Sequence, residues 1–300
     1  MARTRTPLQR RIVTWIPYLW LLAFFLAPFV IVFKISLSET AIAMPPYMPV
    51  FDGLEAIGEK LAQLSFENYA WLVDDPLYWR SYVSSLRIAA ISTIIALLVG
   101  YPLAYGMVRA PAGWRPMLVM MVILPFWTSF LIRVYAWIGI LKPEGLLNQF
   151  LLWTGLIASP LSIINTDTAV YIGIVYSYLP FMVLPLYAVM EKMDPALLEA
   201  AADLGAGPFR RFWQVTVPLS LPGVLAGSLL VFIPAVGEFV IPDLLGGSRT
   251  LMIGKTLWNE FFANRDWPVA SAVATVLLVL LVLPIVLFQN AQRSVGGERR

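Results

Sequence analysis

The 300-residue chain contains no cysteine and no histidine. The first absence excludes disulfide bonds, thiol nucleophiles and zinc–thiolate sites, and the second excludes imidazole as a general acid or base. An enzymatic function is disfavoured as well, because without these two residue types the sequence shows no evident catalytic constellation.

Charged residues are scarce. They make up 13% of the chain, whereas 59% of the residues are hydrophobic, and soluble domains carry about 25% charged residues. So few charges cannot cover a water-exposed surface on a chain of this length. The net charge is +3. The sequence has no long basic stretch interleaved with aromatic residues, and this argues against nucleic-acid binding. The composition predicts an integral membrane protein.

Long apolar runs are what the sequence does contain. A helix needs about 20 mostly apolar residues to cross a bilayer, and six runs meet this length. We predict an all-α protein with six transmembrane helices at about Ile12–Phe33, Ser84–Val108, Pro116–Leu141, Ala169–Met190, Pro222–Ile241 and Val269–Phe288. The first run exceeds the roughly 7–15 apolar residues of a signal peptide, so we expect an uncleaved helix.

The distribution of basic residues predicts the orientation. Arginines occur in the N-terminal tail, in the loop between the second and third helices, and in the C-terminal tail. The loop after the first helix is acidic. By the positive-inside rule, both termini and the loop between the fourth and fifth helices are then cytoplasmic. The arginines concerned are Arg3, Arg5, Arg10, Arg11, Arg109, Arg115, Arg293, Arg299 and Arg300.

The loop between the fourth and fifth helices carries a strong helix signal. Asp194 and Pro195 provide an acidic N-cap followed by proline at the first helical position. Good helix formers follow up to Leu204, and Gly205 and Gly207 can end the helix in a left-handed cap. Helix physics alone leaves two alternatives open, a docking helix for a partner or an interfacial helix that only supports packing.

In this loop, Glu199-Ala200-Ala201 is followed by Gly205 and then by Val215-Thr216-Val217-Pro218. This pattern and its spacing resemble the EAA loop of type I ABC-importer permeases, although valine replaces the usual isoleucine and leucine. The resemblance implies the type I permease fold and a coupling role for Glu199, Ala200, Ala201 and Gly205. Residues 1–83 would then precede a five-helix core at 84–290, which contains the loop at 191–222, and 291–300 would form a tail.

The same resemblance implies partners. A permease of this kind pairs with a second, similar permease subunit, and two ATPase subunits bind the cytoplasmic coupling helices. An external substrate-binding protein delivers the ligand. The permease itself makes and breaks no covalent bond, and we expect no cofactor or metal. The chain would reside in the bacterial inner membrane.

Three further segments extend the likeness over nearly the whole chain. They are Leu124-Pro125-Phe126-Trp127-Thr128-Ser129-Phe130-Leu131-Ile132-Arg133, residues 232–247, and Asn264-Arg265-Asp266-Trp267-Pro268. These segments resemble the polyamine branch of the family, the putrescine and spermidine permeases, and are nearer the putrescine type.

Glu238 is the only charged residue predicted within the fifth helix. A carboxylate at membrane depth costs roughly 2.5–3.5 kcal/mol on insertion scales, so it needs a water-filled path or a partner. We expect Glu238 and Asp243 to line a path for polycations, because ammonium groups favour carboxylates and aromatic faces. The alternative is a structural pair, for example with Arg133.

Arg133 and its aromatic neighbours lie in the predicted third helix. A cation is unfavourable in a polycation path, so we favour a structural or pairing role for Arg133. Tyr135 and Trp137 are candidates for substrate contact, although aromatic residues at this depth usually pack or anchor at the interface. Gly223 and Gly227 allow close helix packing, either within the chain or against a partner.

Two alternatives to this interpretation remain open. A secondary transporter would share the hydropathy without requiring the EAA loop, and a permease of the same fold could carry another solute. Ile253-Gly254-Lys255-Thr256 resembles the end of a phosphate-binding loop, but position 249 is arginine where that motif needs glycine. ATP hydrolysis must therefore come from another subunit.

Overall fold

A computed structural model describes residues 7–51, 53, 57–248 and 250–297. The regular secondary structure of the described residues is helical apart from a short hairpin in which β1 (Glu39–Thr40) pairs antiparallel with β2 (Tyr47–Met48). The first helices are α1 (Pro7–Leu21), α2 (Ala27–Ser36), α3 (Ile57–Ala62), α4 (Glu67–Asp74), α5 (Pro76–Arg109), α6 (Arg115–Ile123), α7 (Phe130–Leu141) and α8 (Leu146–Trp153). The remaining helices are α9 (Asp167–Met190), α10 (Pro195–Asp203), α11 (Pro208–Arg211), α12 (Val217–Val236), α13 (Val240–Leu244), α14 (Ile253–Trp258) and α15 (Trp267–Gly297).

Several of these helices are joined by irregular helical turns. A 3₁₀ turn at Leu124–Trp127 follows α6. Short π-helical segments occupy Leu22–Leu26, Phe212–Thr216 and Asn259–Ala263.

Four described helical segments are long and apolar enough to cross a membrane, namely Thr14–Ser36, Pro76–Arg109, Asp167–Met190 and Pro208–Val236. A fifth is obtained if the bent pair Arg115–Trp127 and Phe130–Trp153 counts as one span. The predicted sixth span lies within α15, of which the stretch Trp267–Val282 is fully described and apolar. The number six therefore stays a prediction.

The third predicted span is wrong as a continuous helix. Its two halves meet at an angle of 90° at residues 128–129. Thr128 adopts an extended conformation with ψ of 150°, and its hydroxyl donates to the carbonyl oxygen of Pro125 at 2.8 Å. Because this extended backbone lies outside the helical region, the helix ends at Thr128. Hydropathy cannot reveal the break because both halves are apolar.

The fifth predicted span begins and ends elsewhere. The helical segment starts at Pro208, inside the predicted cytoplasmic loop, and ends at Val236, before Glu238. The predicted position of Glu238 within a helix, and the predicted start at Pro222, are therefore wrong. Charged residues at the start of the segment lowered its hydropathy, which is why the sequence pattern placed the boundary too late.

The chain forms two compact units. One contains residues 80–256, and in it α9 and α12 pack against each other along their length. A Cβ atom added at Gly227 would lie 3.0 Å from the carbonyl oxygen of Met182, and one at Gly223 would lie 3.0 Å from that of Pro185. The two glycines therefore serve close packing within this chain, which decides between the two alternatives left by the sequence.

The other unit combines residues up to Trp79 with those from Leu257 onward. In it α15 packs against α2 and α4. The buried carboxylate of Glu260 accepts hydrogen bonds from the Tyr78 hydroxyl at 3.0 Å and from the Asn264 amide at 2.8 Å. The buried carboxylate in this unit thus has hydrogen-bond partners from neighbouring side chains.

Candidate functional site

Glu238 lies in the turn between α12 and α13, and its side chain caps α13. The Oε1 atom accepts hydrogen bonds from the backbone N–H groups of Phe239 at 3.1 Å, Val240 at 3.0 Å and Ile241 at 3.4 Å. Backbone N–H groups at a helix start have no intrahelical partner, and a carboxylate there is stabilised by the helix dipole. This arrangement explains how a carboxylate that is only 7% exposed is tolerated.

The second carboxylate oxygen of Glu238 faces α9. It accepts a hydrogen bond of 2.5 Å from the Tyr178 hydroxyl. A carboxylate oxygen has room for two hydrogen bonds, so one acceptor direction of Oε2 remains after Tyr178 is counted. Tyr178 was not singled out from the sequence, where its only signal is a polar atom in an otherwise apolar helix.

A cavity of about 420 Å³ adjoins this carboxylate. Aromatic rings form much of its wall. Its lining residues are Phe126, Phe130, Arg133, Ser177, Tyr178, Phe181, Pro234, Gly237, Glu238, Phe239 and Val240. Both sides of the break in the third predicted span contribute to the lining, so the break helps to form the cavity.

Arg133 lines the same cavity and is 9% exposed. Its guanidinium carbon lies 4.9 Å from the ring centroid of Phe126 and 5.6 Å from that of Phe130. Within the described chain, its Nε and Nη1 atoms have no hydrogen-bond partner. Arg133 and Glu238 are therefore brought to one cavity, where the carboxylate is held by Tyr178 and backbone N–H groups and the guanidinium by aromatic faces.

The other residues expected along the path lie elsewhere. Asp243 forms an ion pair of 3.3 Å with Lys255 and its side chain is 55% exposed. Trp137 packs edge-on against Tyr176 with 5.3 Å between ring centroids, and Tyr135 is 57% exposed. Among the described residues, these three do not belong to the lining of the Glu238 cavity.

The loop helix α10 has the caps that the sequence predicts. The Asp194 side chain accepts from the backbone N–H of Ala196 at 3.0 Å, and Pro195 is the first helical residue. At the other end Gly205 has φ of +80°, and the N–H of Ala206 donates to the carbonyl of Ala201 at 3.0 Å. With the 2.8 Å bond from Gly205 to Ala202, this pattern is a Schellman cap.

The loop around α10 presents apolar side chains to the solvent. Leu204 is 89% exposed, Phe209 is 78% exposed and Leu197 is 47% exposed. Glu199 and Ala200 are also exposed. An exposed apolar cluster rimmed by polar residues is typical of a surface that a partner covers.

These features define a polytopic helical membrane protein with a capped loop helix on one side and a buried carboxylate beside a cavity in its interior. That combination is the architecture of a transport permease. The chain belongs to the family of binding-protein-dependent transport system inner membrane components, whose family model matches residues 11–294. It is therefore a multi-pass inner-membrane transport component and not an enzyme.

Relatives and solved structures agree with this assignment. The chain is 46% identical over 235 residues to the spermidine/putrescine transport system permease protein PotB of Haemophilus influenzae, covering 78% of this chain and 82% of the relative. It is 44% identical over 234 residues to PotB of Escherichia coli K12, covering 78% and 85%.

The fold is similar to a solved bacterial alginate ABC transporter in complex with its alginate-bound periplasmic protein. The TM-score is 0.69 at 17% identity, over 94% of this chain and 93% of the other. This similarity concerns the fold, whereas the family model and the two PotB relatives confirm the resemblance to ABC-importer permeases of the polyamine branch.

Proposed function

We propose that this chain is the permease subunit that forms half of the translocation pathway of an ATP-driven polyamine importer, with putrescine as the favoured cargo. The observation that carries the proposal is the buried Glu238 carboxylate beside an aromatic-lined cavity. The similarity to the spermidine/putrescine permeases supports the substrate class. Spermidine, or another small solute, is the alternative cargo.

The chemistry of the cavity suits a terminal ammonium group. Such a group can donate to the remaining acceptor direction of Glu238 Oε2 and lie against the rings of Phe181 and Tyr178. Arg133 opposes a second cation, but the faces of Phe126 and Phe130 partly compensate its charge. We therefore infer that the cavity accepts one ammonium group at a time, and that Arg133 acts as a structural cation.

Coupling to ATP is proposed for the loop at the other end of the molecule. Glu199, Ala200, Ala201 and Gly205 form the EAA pattern on and after α10, and apolar side chains beside them are exposed. We infer that this surface docks on an ATPase subunit in the cytoplasm. The complete importer would contain a second homologous permease, two ATPase subunits and an external substrate-binding protein.

The proposed mechanism is alternating access. ATP binding draws the two ATPase subunits together, the coupling helices move with them, and the two permease halves expose the cavity to one side and then the other. The permease contributes a coupling free energy between the nucleotide sites and the cavity. The orientation with both termini and the loop at 191–222 in the cytoplasm, and the six-helix topology, belong to the same proposal.

Uptake of labelled putrescine and spermidine by cells that carry the importer with Glu238→Gln tests the cavity. We expect uptake to fall at least about tenfold, because an amide cannot neutralise an ammonium group and a charged hydrogen bond is worth about 1.5–3 kcal/mol. Glu144→Gln is the matched control, since Glu144 is an exposed carboxylate. Normal uptake by Glu238→Gln, with normal amounts of assembled importer, would refute the pathway role.

The same cells distinguish an ATP-driven importer from a secondary transporter. An ATP-driven importer loses uptake when the ATPase subunit is deleted and keeps it when the proton and sodium gradients are collapsed at constant ATP. The opposite pattern would support the secondary transporter.

A further inference from the structure

A second, smaller cavity lies beside α10. It has a volume of about 140 Å³ and lies between the end of α5, α10 and the start of the helical segment Pro208–Val236. Arg109 and Arg211 both line it, together with Thr216 and Tyr105. It is separate from the Glu238 cavity and shares no lining residue with it.

Hydrogen-bond donors in this cavity are left without acceptors. The Nε atom of Arg211 and the hydroxyl of Thr216 are buried and have no partner within the described chain. Thr216 is only 4% exposed. Arg109 donates from Nη2 to the Tyr105 hydroxyl at 2.6 Å. A buried donor without an acceptor costs about 1–3 kcal/mol, which points to an acceptor that binds here.

Thr216 differs from other buried threonines in this respect. Thr93 and Thr275 donate to the carbonyl oxygens four residues earlier, at 2.7 and 2.8 Å. This is the usual way in which a helical threonine satisfies its hydroxyl. Thr216 ends the π-helical segment Phe212–Thr216, where the carbonyls have a different register, and its hydroxyl lines the cavity instead.

The charge of the cavity is positive. Two arginines line it, and no carboxylate occurs among its described lining residues. An adjoining cavity of about 360 Å³ shares Tyr105, Arg109, Leu198 and Thr216 with it and is also lined by Arg115, Glu191 and Glu199. Across both cavities the three arginines outnumber the two carboxylates. Glu191 already accepts a hydrogen bond of 2.5 Å from the Tyr187 hydroxyl. The smaller cavity therefore combines cationic donors with an unsatisfied hydroxyl, a set that favours an anion with several acceptor oxygens.

We propose that this cavity binds a phosphate group, carried by an anionic phospholipid headgroup or by a soluble phosphate. A water molecule occupies about 30 Å³ in the liquid. A cavity of about 140 Å³ therefore has room for the few heavy atoms of a phosphate group. Arginine suits phosphate because its fork of donors matches the oxygens. Basic pockets between transmembrane helices on the cytoplasmic side bind lipid headgroups, and the charge distribution predicts that side for this cavity.

A bound phosphate would join two parts of the fold. Arg109 lies at the end of α5, whereas Arg211 and Thr216 lie on the segment that connects the loop to α12. A group that accepts from all three would hold this connection against α5. The site would thus adjust how firmly the loop is held, whatever solute the importer carries.

The test uses the full-length protein purified in assembled importer, with Arg211→Gln and Arg210→Gln compared. Arg210 is exposed and its Nε donates to Gln214 at 3.0 Å, so it is a neighbouring arginine outside the cavity. One probe is phosphatidylglycerol retained in native mass spectrometry, and the other is radiolabelled inorganic phosphate in equilibrium dialysis. We expect Arg211→Gln to weaken retention of one probe about tenfold and Arg210→Gln to leave it within about twofold.

The two probes distinguish the two sources of phosphate. If Arg211→Gln loses phosphatidylglycerol alone, the ligand is a lipid headgroup, and if it loses inorganic phosphate alone, the ligand is a soluble phosphate. Either result supports the site. If neither probe binds the unmodified protein, or if both variants lose it equally, the proposal is overturned. Thr216→Val, which keeps the shape of the side chain, provides the decision if Arg211→Gln does not assemble: unchanged binding in that variant overturns the proposal.

Discussion

At the scale of single residues, Glu238 shows how a charge is accommodated in an apolar chain. The sequence indicates that this carboxylate needs partners, because an isolated charge in the membrane is costly. It does not indicate which partners these are. Tyr178 lies 60 positions away, and the backbone N–H groups of residues 239–241 are available to the carboxylate only because α12 ends at Val236. Arg133 was the partner suggested by sequence, and it shares the cavity without satisfying the carboxylate.

The Tyr178–Glu238 hydrogen bond gives a prediction about stability. Tyr178→Phe leaves one carboxylate oxygen short of a buried donor and should lower the free energy of unfolding by about 1–3 kcal/mol. Tyr171→Phe on the same helix is the matched control, because the buried Tyr171 hydroxyl has no partner within the described chain. Thermal unfolding of the purified protein in detergent measures both. Equal melting temperatures for the two variants would contradict the prediction.

Gly205 gives a prediction about coupling. Its φ of +80° is strongly disfavoured for a β-branched residue, so Gly205→Val should disrupt the cap of α10 and lower ATP-driven uptake and ATPase retention several-fold. In Gly207→Val the backbone has φ of −64°, and a Cβ atom there meets nothing within 4 Å. That control should retain uptake. Full ATP-driven transport by Gly205→Val would refute the role of the loop.

At the scale of elements, local signals predicted more than hydropathy did. The caps of α10 were predicted because Asp194, Pro195 and Gly205 act on their own neighbours. The break between α6 and α7 was missed because hydropathy averaged over a window of residues does not detect a single residue in an extended conformation. The break falls at Thr128, whose backbone is extended.

Packing of α9 against α12 gives a matched pair of glycine variants. A Cβ at Gly227 would lie 3.2 Å from the Cα of Met182 and 3.0 Å from its carbonyl oxygen, so Gly227→Ala forces the helices apart. We expect a loss of about 1–3 kcal/mol in the free energy of unfolding. Gly106 on α5 has nothing within 4 Å of an added Cβ, so Gly106→Ala should gain up to about 1 kcal/mol from helix propensity.

Thermal unfolding in detergent decides this comparison. The expected result is a lower melting temperature for Gly227→Ala and an unchanged or higher one for Gly106→Ala. A stable Gly227→Ala protein would mean that the two helices separate more easily than their contacts imply.

At the scale of the whole molecule, the absence of cysteine makes the topology directly measurable. In cells that lack the ATPase subunit, we expect Leu204→Cys to react with a membrane-impermeant maleimide only after permeabilisation, and Leu156→Cys to react in intact spheroplasts. Both leucines are largely exposed in the single chain, at 89% and 72%, and without the ATPase no docked partner covers Leu204, so labelling reports the side of the membrane. Labelling of Leu204→Cys in intact spheroplasts would reverse the predicted orientation.

The fold class and family were accessible from the sequence because both rest on patterns within a few turns of helix. The cavity was not, because it forms where the broken span, α9 and the turn after α12 meet. The expected path residues Asp243, Tyr135 and Trp137 are near Glu238 or Arg133 in sequence, and they still lie outside the cavity lining. Side-chain direction depends on where each helix ends, which the sequence pattern placed several residues away.

The continuous helical segment Pro208–Val236 has a mechanical consequence. It has 29 residues, which at about 1.5 Å per residue corresponds to a rod roughly 43 Å long. One end emerges from the loop beside α10, and at the other end a single glycine separates it from Glu238. A displacement of the loop is therefore transmitted to the carboxylate along one helical segment without an intervening loop, and Pro222 and Pro234 inside it are the points at which it can bend.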